Sequence, residues 1–134
     1  PIYSTPIPVI PAFSLSNSDA VDEAIVTQHT LFNDIFLIDA YHPSLPGGTG
    51  RTIHLEKAAQ FAKMGNCIVA GGLTPENVAE VVNCLQPYGV DTASGVESAP
   101  GIKDPDRVQQ FILQVRAGQL AVKKGTEAEE KTTR

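Results

Sequence analysis

The chain has 134 residues, 15 acidic against 10 basic, a net charge of −5 and 42% hydrophobic residues, enough for one domain with its own core. That acidic balance leaves no basic stripe for nucleic acid, no apolar run approaches the roughly 20 residues that span a membrane, and the start shows no basic-then-apolar secretory signal. Two cysteines, Cys67 and Cys84, are too sparse for a disulfide framework or a zinc knuckle, so the expected setting is a reducing cytoplasm.

In chain order, residues 8–13 (PVIPAF) form a short apolar pattern that predicts a strand, weakened by Pro11. Ser18 caps a helical pattern over 19–28, with Val21, Ala24 and Ile25 on one face. A second strand is predicted at 34–38, followed by a Pro- and Gly-rich loop to Thr52 and a helix over 54–63. Residues 67–70 give a third strand that ends in Gly71 and Gly72. Thr74, Pro75 and Glu76 make a helix start, with Thr as cap, Pro at the first helical position and an acid in the first turn. That helix is predicted to run to about Leu85. Residues 89–93 give a fourth strand, and its loop holds Gly95, Pro100 and Gly101. Asp104 and Pro105 open a last helix that is predicted to end near Arg116. Residues 117–134 read as a polar, disordered tail.

The pattern is therefore β-α four times over, in an α/β chain. Short apolar strands without clean alternation indicate burial on both faces and hence parallel pairing. Long glycine-rich loops follow the strands and short ones follow the helices, the asymmetry of a TIM barrel, whose site lies at the C-terminal strand ends. Eight such units fill about 250 residues, so residues 1–116 supply about four, a partial (β/α)8 barrel. A flavodoxin-like open sheet has the same element order.

Four motifs carry chemistry. Asp39 ends a buried strand, where a partly desolvated carboxyl suits general acid work; a loop Asp capping a turn reads equally well. The run Gly47, Gly48, Thr49, Gly50, Arg51, Thr52 offers close backbone approach to a ligand but is not a Walker A loop, and a flexible turn is the alternative. Gly71 and Gly72 follow the third strand directly, and Ser94 and Gly95 follow the fourth. In phosphate-binding barrels the loops after the last two strands hold the phosphate; tight strand-to-helix turns would leave the same trace. His29, His42 and His54 lack metal-ligand spacing, and neither cysteine sits where a nucleophile would.

From Phe36 to Phe111 the sequence resembles phosphoribosylanthranilate isomerase, an enzyme of tryptophan biosynthesis. The matching pieces are FLIDA, PGGTGRT, IVAGGLTPENVAEVV and VDTASGVESAPGIKDPDRVQQFI, in family order and at family-like spacing. The resemblance implies strands 5–8 of the barrel and an Amadori rearrangement of N-(5′-phosphoribosyl)anthranilate. A general acid protonates the ribose ring oxygen and the ring opens to a Schiff base. A general base takes the C2 proton, and the enolamine tautomerises to the keto product, with no metal or cofactor. The resemblance makes Asp39 the general acid. It gives Gly71, Gly72, Ser94 and Gly95 to the substrate phosphate, Gly48 and Gly50 to the flanking loop, and Asp91 to the anthranilate end. Indoleglycerol-phosphate and thiamine-phosphate synthases share the phosphate-binding barrel, but the pairing of GGTG with SGVE separates them from this chain.

The sequence departs from the family in four places. The family's base is a cysteine in a Lys-Ile/Val-Cys-Gly motif, and no such motif occurs here. The arginine expected from the first half of the barrel is absent. Ile53, His54 and Leu55 replace an aromatic-Asp-Trp sequence, and Pro11 stands where a polar strand residue is expected. Pro1 in first place suggests a start after processing or truncation. The expectation is a C-terminal half-barrel that takes a small phosphorylated substrate, has little activity alone and pairs with an N-terminal half. The alternative is a non-catalytic phosphosugar-binding module that associates as a homodimer.

Overall fold

In a computed structural model, the described residues are 9–15, 35–40 and 55–132. Four strands, β1 (Ala12–Ser14), β2 (Phe36–Asp39), β3 (Cys67–Ala70) and β4 (Gly89–Val90), form one sheet in the order β1-β2-β3-β4. All three pairings are parallel, as the apolar strand pattern predicts. β1 lies toward the end of the predicted 8–13 segment, because Pro11 has no N–H to give a ladder and serves it through its carbonyl, which accepts from the Leu37 N–H at 2.8 Å. The helix predicted over 19–28 lies outside the described residues.

Register sorts the side chains onto two faces. Phe36 pairs with Cys67 and Ile38 with Val69, and all four are fully buried. Fully burying a side chain the size of Phe36 or Ile38 is worth about 1.5–3 kcal/mol. Helices α1 (Leu55–Ala62) and α2 (Val78–Leu85) contribute Ala58, Phe61, Val78, Val81, Val82 and Leu85 to the same core. Phe13 meets Phe36 edge to face, with ring centroids 6.4 Å apart. The opposite face carries Ala12, Ser14, Leu37, Asp39 and Ile68, which are exposed or half-buried.

Both ends of α2 have a visible cause. The Thr74 hydroxyl accepts the Glu76 N–H at 3.2 Å, and the Asn77 Oδ1 accepts the Thr74 N–H at 2.8 Å. These bonds brace a turn over residues 75–77, so α2 itself begins at Val78 with Asn77 at its N-cap, three residues later than the Thr-Pro-Glu start predicts. At the other end Gln86 adopts a left-handed φ of 47° and closes the helix onto the Val82 carbonyl at 3.0 Å, after which Pro87 stops it.

The segment after β4 departs from the predicted long loop. It holds a short 3₁₀ turn (Ser94–Val96) and a hairpin of β5 (Glu97–Ala99) and β6 (Ile102–Lys103). Pro100 and Gly101, the latter at φ 78°, supply the type II turn chemistry. Asp104 then caps the last helix, its carboxylate accepting the Asp106 and Arg107 N–H groups at 2.9 and 3.2 Å.

That helix, α3 (Pro105–Thr132), corrects a sequence expectation. It does not end near Arg116, and residues 117–132, read as a disordered tail, are helical. Polarity suggested disorder, but Ala117, Gln119, Leu120 and Ala121 are good helix formers. Gly118 then brings α3 against α2: a Cβ there would lie 2.6 Å from the Ala79 carbonyl oxygen.

Candidate functional site

The sheet register fixes one end of the molecule. Ser14, Asp39 and Ala70 stand level across β1, β2 and β3, and Asp91 extends the row by donating its N–H to the Val69 carbonyl at 2.9 Å. The Asp39 backbone is pinned from both sides. Its carbonyl accepts the Leu15 N–H at 2.9 Å, and the next residue, Ala40, donates to the Ala70 carbonyl at 2.9 Å. The half-buried Asp39 side chain and the exposed Asp91 thus share the C-terminal strand ends with both glycine turns. Gly48 and Gly50 lie outside the described residues.

Gly71 and Gly72 take φ values of 90° and 68°. Two successive left-handed residues turn the chain off β3 sharply, at a cost that side chains other than glycine resist. Asn77, the buried polar side chain of this region, donates from Nδ2 to the Gly72 carbonyl at 2.9 Å and so locks the turn to the start of α2. Residues 92–95 fold directly onto it. The Thr92 hydroxyl donates to the Leu73 carbonyl at 2.7 Å, and a Cβ on Gly95 would collide with that same carbonyl oxygen. The two glycine turns separated by sequence are therefore in van der Waals contact.

Further side chains brace this pair, and the sequence reading did not single them out as site residues. Arg107 donates to the Gly95 carbonyl from Nε at 3.1 Å and from Nη2 at 3.0 Å, and to Glu76 Oε2 at 3.3 Å. Lys103 donates to the Ala93 carbonyl at 2.8 Å and pairs with Glu97 at 2.8 Å. A signal for Arg107 was present: a cation in the first turn of a helix opposes the macrodipole and so needs a local partner. Both glutamates are held below the ordinary carboxyl value. For Glu76 the causes are the Thr74 hydroxyl first, then its own backbone N–H and Arg107. For Glu97 they are the Lys103 ammonium first, then the Gly101 backbone.

Cys67 cannot serve this end. It opens β3 at the opposite end of the sheet, is fully buried, and burial pushes its thiol up to about 12, so it stays protonated near neutrality. Among the described residues no helix is long and apolar enough to cross a membrane.

The comparisons with known proteins point one way. Residues 2–114 match the family described as N-(5'phosphoribosyl)anthranilate (PRA) isomerase. A curated N-(5'-phosphoribosyl)anthranilate isomerase from Chlorobium phaeobacteroides is 45% identical over 114 residues, 82% of this chain and 53% of that protein. The crystal structure of phosphoribosyl anthranilate isomerase from Thermotoga maritima superposes with a TM-score of 0.62 at 30% identity, over 83% of this chain and 52% of that one. A further phosphoribosyl anthranilate isomerase, solved in complex with reduced 1-(o-carboxyphenylamino)-1-deoxyribulose 5-phosphate, aligns at 27% identity and TM-score 0.62, over 82% of this chain and 49% of that one. The chain spans about half the length of the curated relatives it matches.

Proposed function

The chain belongs to the N-(5'-phosphoribosyl)anthranilate isomerase family, and on that premise we propose that it supplies the acid and the phosphate cradle for the Amadori rearrangement of phosphoribosylanthranilate. One observation carries the reading: Asp39, Asp91 and both glycine turns share the C-terminal end of one parallel sheet, the end at which barrel enzymes work. The four strands then correspond to strands 5–8 of an eight-stranded barrel, and the half-covered face bearing Leu37, Asp39 and Ile68 is its interior.

In this reading the loops at Gly71, Gly72, Ser94 and Gly95 hold the substrate phosphate by backbone approach, with Gly48 and Gly50 flanking. Asp91 faces the anthranilate end. Asp39 gives its proton to the ribose ring oxygen as the C1–O bond breaks, and the nitrogen lone pair forms the Schiff base. Removal of the C2 proton then gives the enolamine, which takes up a proton and becomes the ketose. This chain's cysteines do not suit the second step, since Cys67 is buried and protonated at the wrong end. The base comes from a complementary first half seated on the open sheet face. Positioning and proton transfer are lost together without it, so the 134 residues alone turn over little.

The half-exposed Leu37 and Ile68 also favour a second reading, a phosphosugar-binding module that covers this face by homodimerising. One assay separates the two. Loss of anthranilate-conjugate fluorescence is followed for the chain alone, for the chain mixed with an N-terminal half from the family, and for that mixture carrying Asp39→Asn. The proposal expects turnover only in the second. Turnover by the chain alone, or equal turnover with Asp39→Asn, overturns it. A dimer by sedimentation with no turnover in any mixture favours the second reading.

A further inference from the structure

We propose that Arg107 is a positioning residue: its guanidinium clamps the Gly95 turn onto the Gly71 and Gly72 turn, and so sets the cradle's shape without touching the phosphate. The inference rests on the phosphate reading above. Two observations meet at this side chain. Two of its nitrogens converge on one carbonyl, that of Gly95. Because the peptide group is planar, fixing that carbonyl fixes the direction of the Val96 N–H behind it. The same guanidinium reaches Glu76, which sits on the turn leading from Gly72 into α2. A single planar fork therefore spans both loops, which a lysine ammonium cannot do.

The packing explains why a clamp is needed. Gly95 rests against the Leu73 carbonyl so closely that a Cβ would not fit. The two backbone carbonyls at this contact, those of Leu73 and Gly95, have no attraction for each other, so side chains must hold the turns together. The Thr92 hydroxyl bonds the Leu73 carbonyl from one side, and Arg107 holds the Gly95 carbonyl from the other. Glu76 accepts part of the guanidinium charge and turns the fork toward α2, away from a role as a bare cation for phosphate. Asp104, which caps α3, offsets the unfavourable dipole that the first turn imposes on Arg107.

The test uses the 134-residue chain and inorganic phosphate, with amide resonances followed by NMR in wild type, Arg107→Lys, Arg107→Ala and Glu76→Gln. In wild type, phosphate moves the amides around Gly72 and Gly95. Arg107→Lys keeps the charge and loses the fork, so it weakens binding nearly as much as Arg107→Ala, by roughly tenfold. Glu76→Gln decides between a clamp and a direct charge. A clamp loses an anchor and binds phosphate more weakly; a direct cation, relieved of its counter-charge, binds it more tightly. Tighter binding in Glu76→Gln, or wild-type binding in Arg107→Lys, overturns the proposal.

Hydrogen exchange supplies a readout independent of phosphate. The Val96 and Asp104 amides, which bond within and beside the 3₁₀ turn, exchange faster in the Arg107 variants, while those of β3 are unchanged. Faster exchange with no phosphate shift in wild type removes the phosphate reading and leaves the clamp in place. Unchanged exchange at Val96 and Asp104 in Arg107→Lys overturns the clamp. If Arg107→Ala does not fold, Arg107→Lys and Glu76→Gln still decide the question.

Discussion

At the scale of single residues, the glycines of the two turns at the strand ends do two different jobs. Gly71 and Gly72 are required by their backbone angles, whereas Gly95 is required by what presses on it. Gly95→Ala therefore forces the two turns apart. It should destabilise the chain by about 1–3 kcal/mol in urea unfolding and abolish phosphate-induced shifts; an unchanged urea midpoint would refute the contact. The acid limb of stability should report Glu76. Its folded carboxyl titrates below the ordinary value of 4.5, so its contribution is complete above that value and is lost as pH falls through the lower folded value. The Arg107 pair is partly exposed and screened, so the effect is small, about half a kcal/mol. Urea midpoints of Glu76→Gln should match wild type at low pH and fall behind it above pH 4.5. The placement of Asp39 and the glycine turns at the strand ends was legible because strand, acid and glycine follow one another in the chain. The contact of Thr92 was not, because its partner lies 19 residues away, and the first-turn cation at Arg107 signals the need for a partner without naming Gly95, 12 residues away.

At the scale of elements, the reading succeeded where backbone chemistry is local. Cys67–Ala70 is a strand at its predicted bounds, and the Asp104 cap falls where its residue type predicts, while Thr74 braces a turn ahead of α2 and leaves the N-cap to Asn77. It failed where tertiary contact decides. The β5–β6 hairpin is too short to show alternation and is held by Lys103 reaching across to Glu97. The last helix outran its predicted end because composition alone cannot reveal that residue 118 meets α2. Gly118→Ala tests that contact against propensity. On an exposed helix the change should stabilise by about 1 kcal/mol. Here the added methyl meets the Ala79 carbonyl and Val82, so thermal unfolding should instead show a loss of about 1–3 kcal/mol. A gain in melting temperature would mean that the two helices are not in contact there.

At the scale of the whole molecule, one buried core among the described residues joins the sheet to three helices while the other sheet face stays half-covered. Parallel order was legible from the apolar strands; the unequal cover of the two faces was not, because Leu37 and Ile68 are as apolar as their buried neighbours. The position of the two cysteines gives this architecture a clock of its own. Cys84 is exposed and Cys67 is sealed in the sheet, with a thiol that burial keeps protonated. A disulfide reagent should therefore find one thiol per chain at once and the second only when the sheet opens. The slow phase times the opening of the core. A partner seated on the open face should lengthen it without touching the fast one, and two thiols of equal rate would mean that the core does not close.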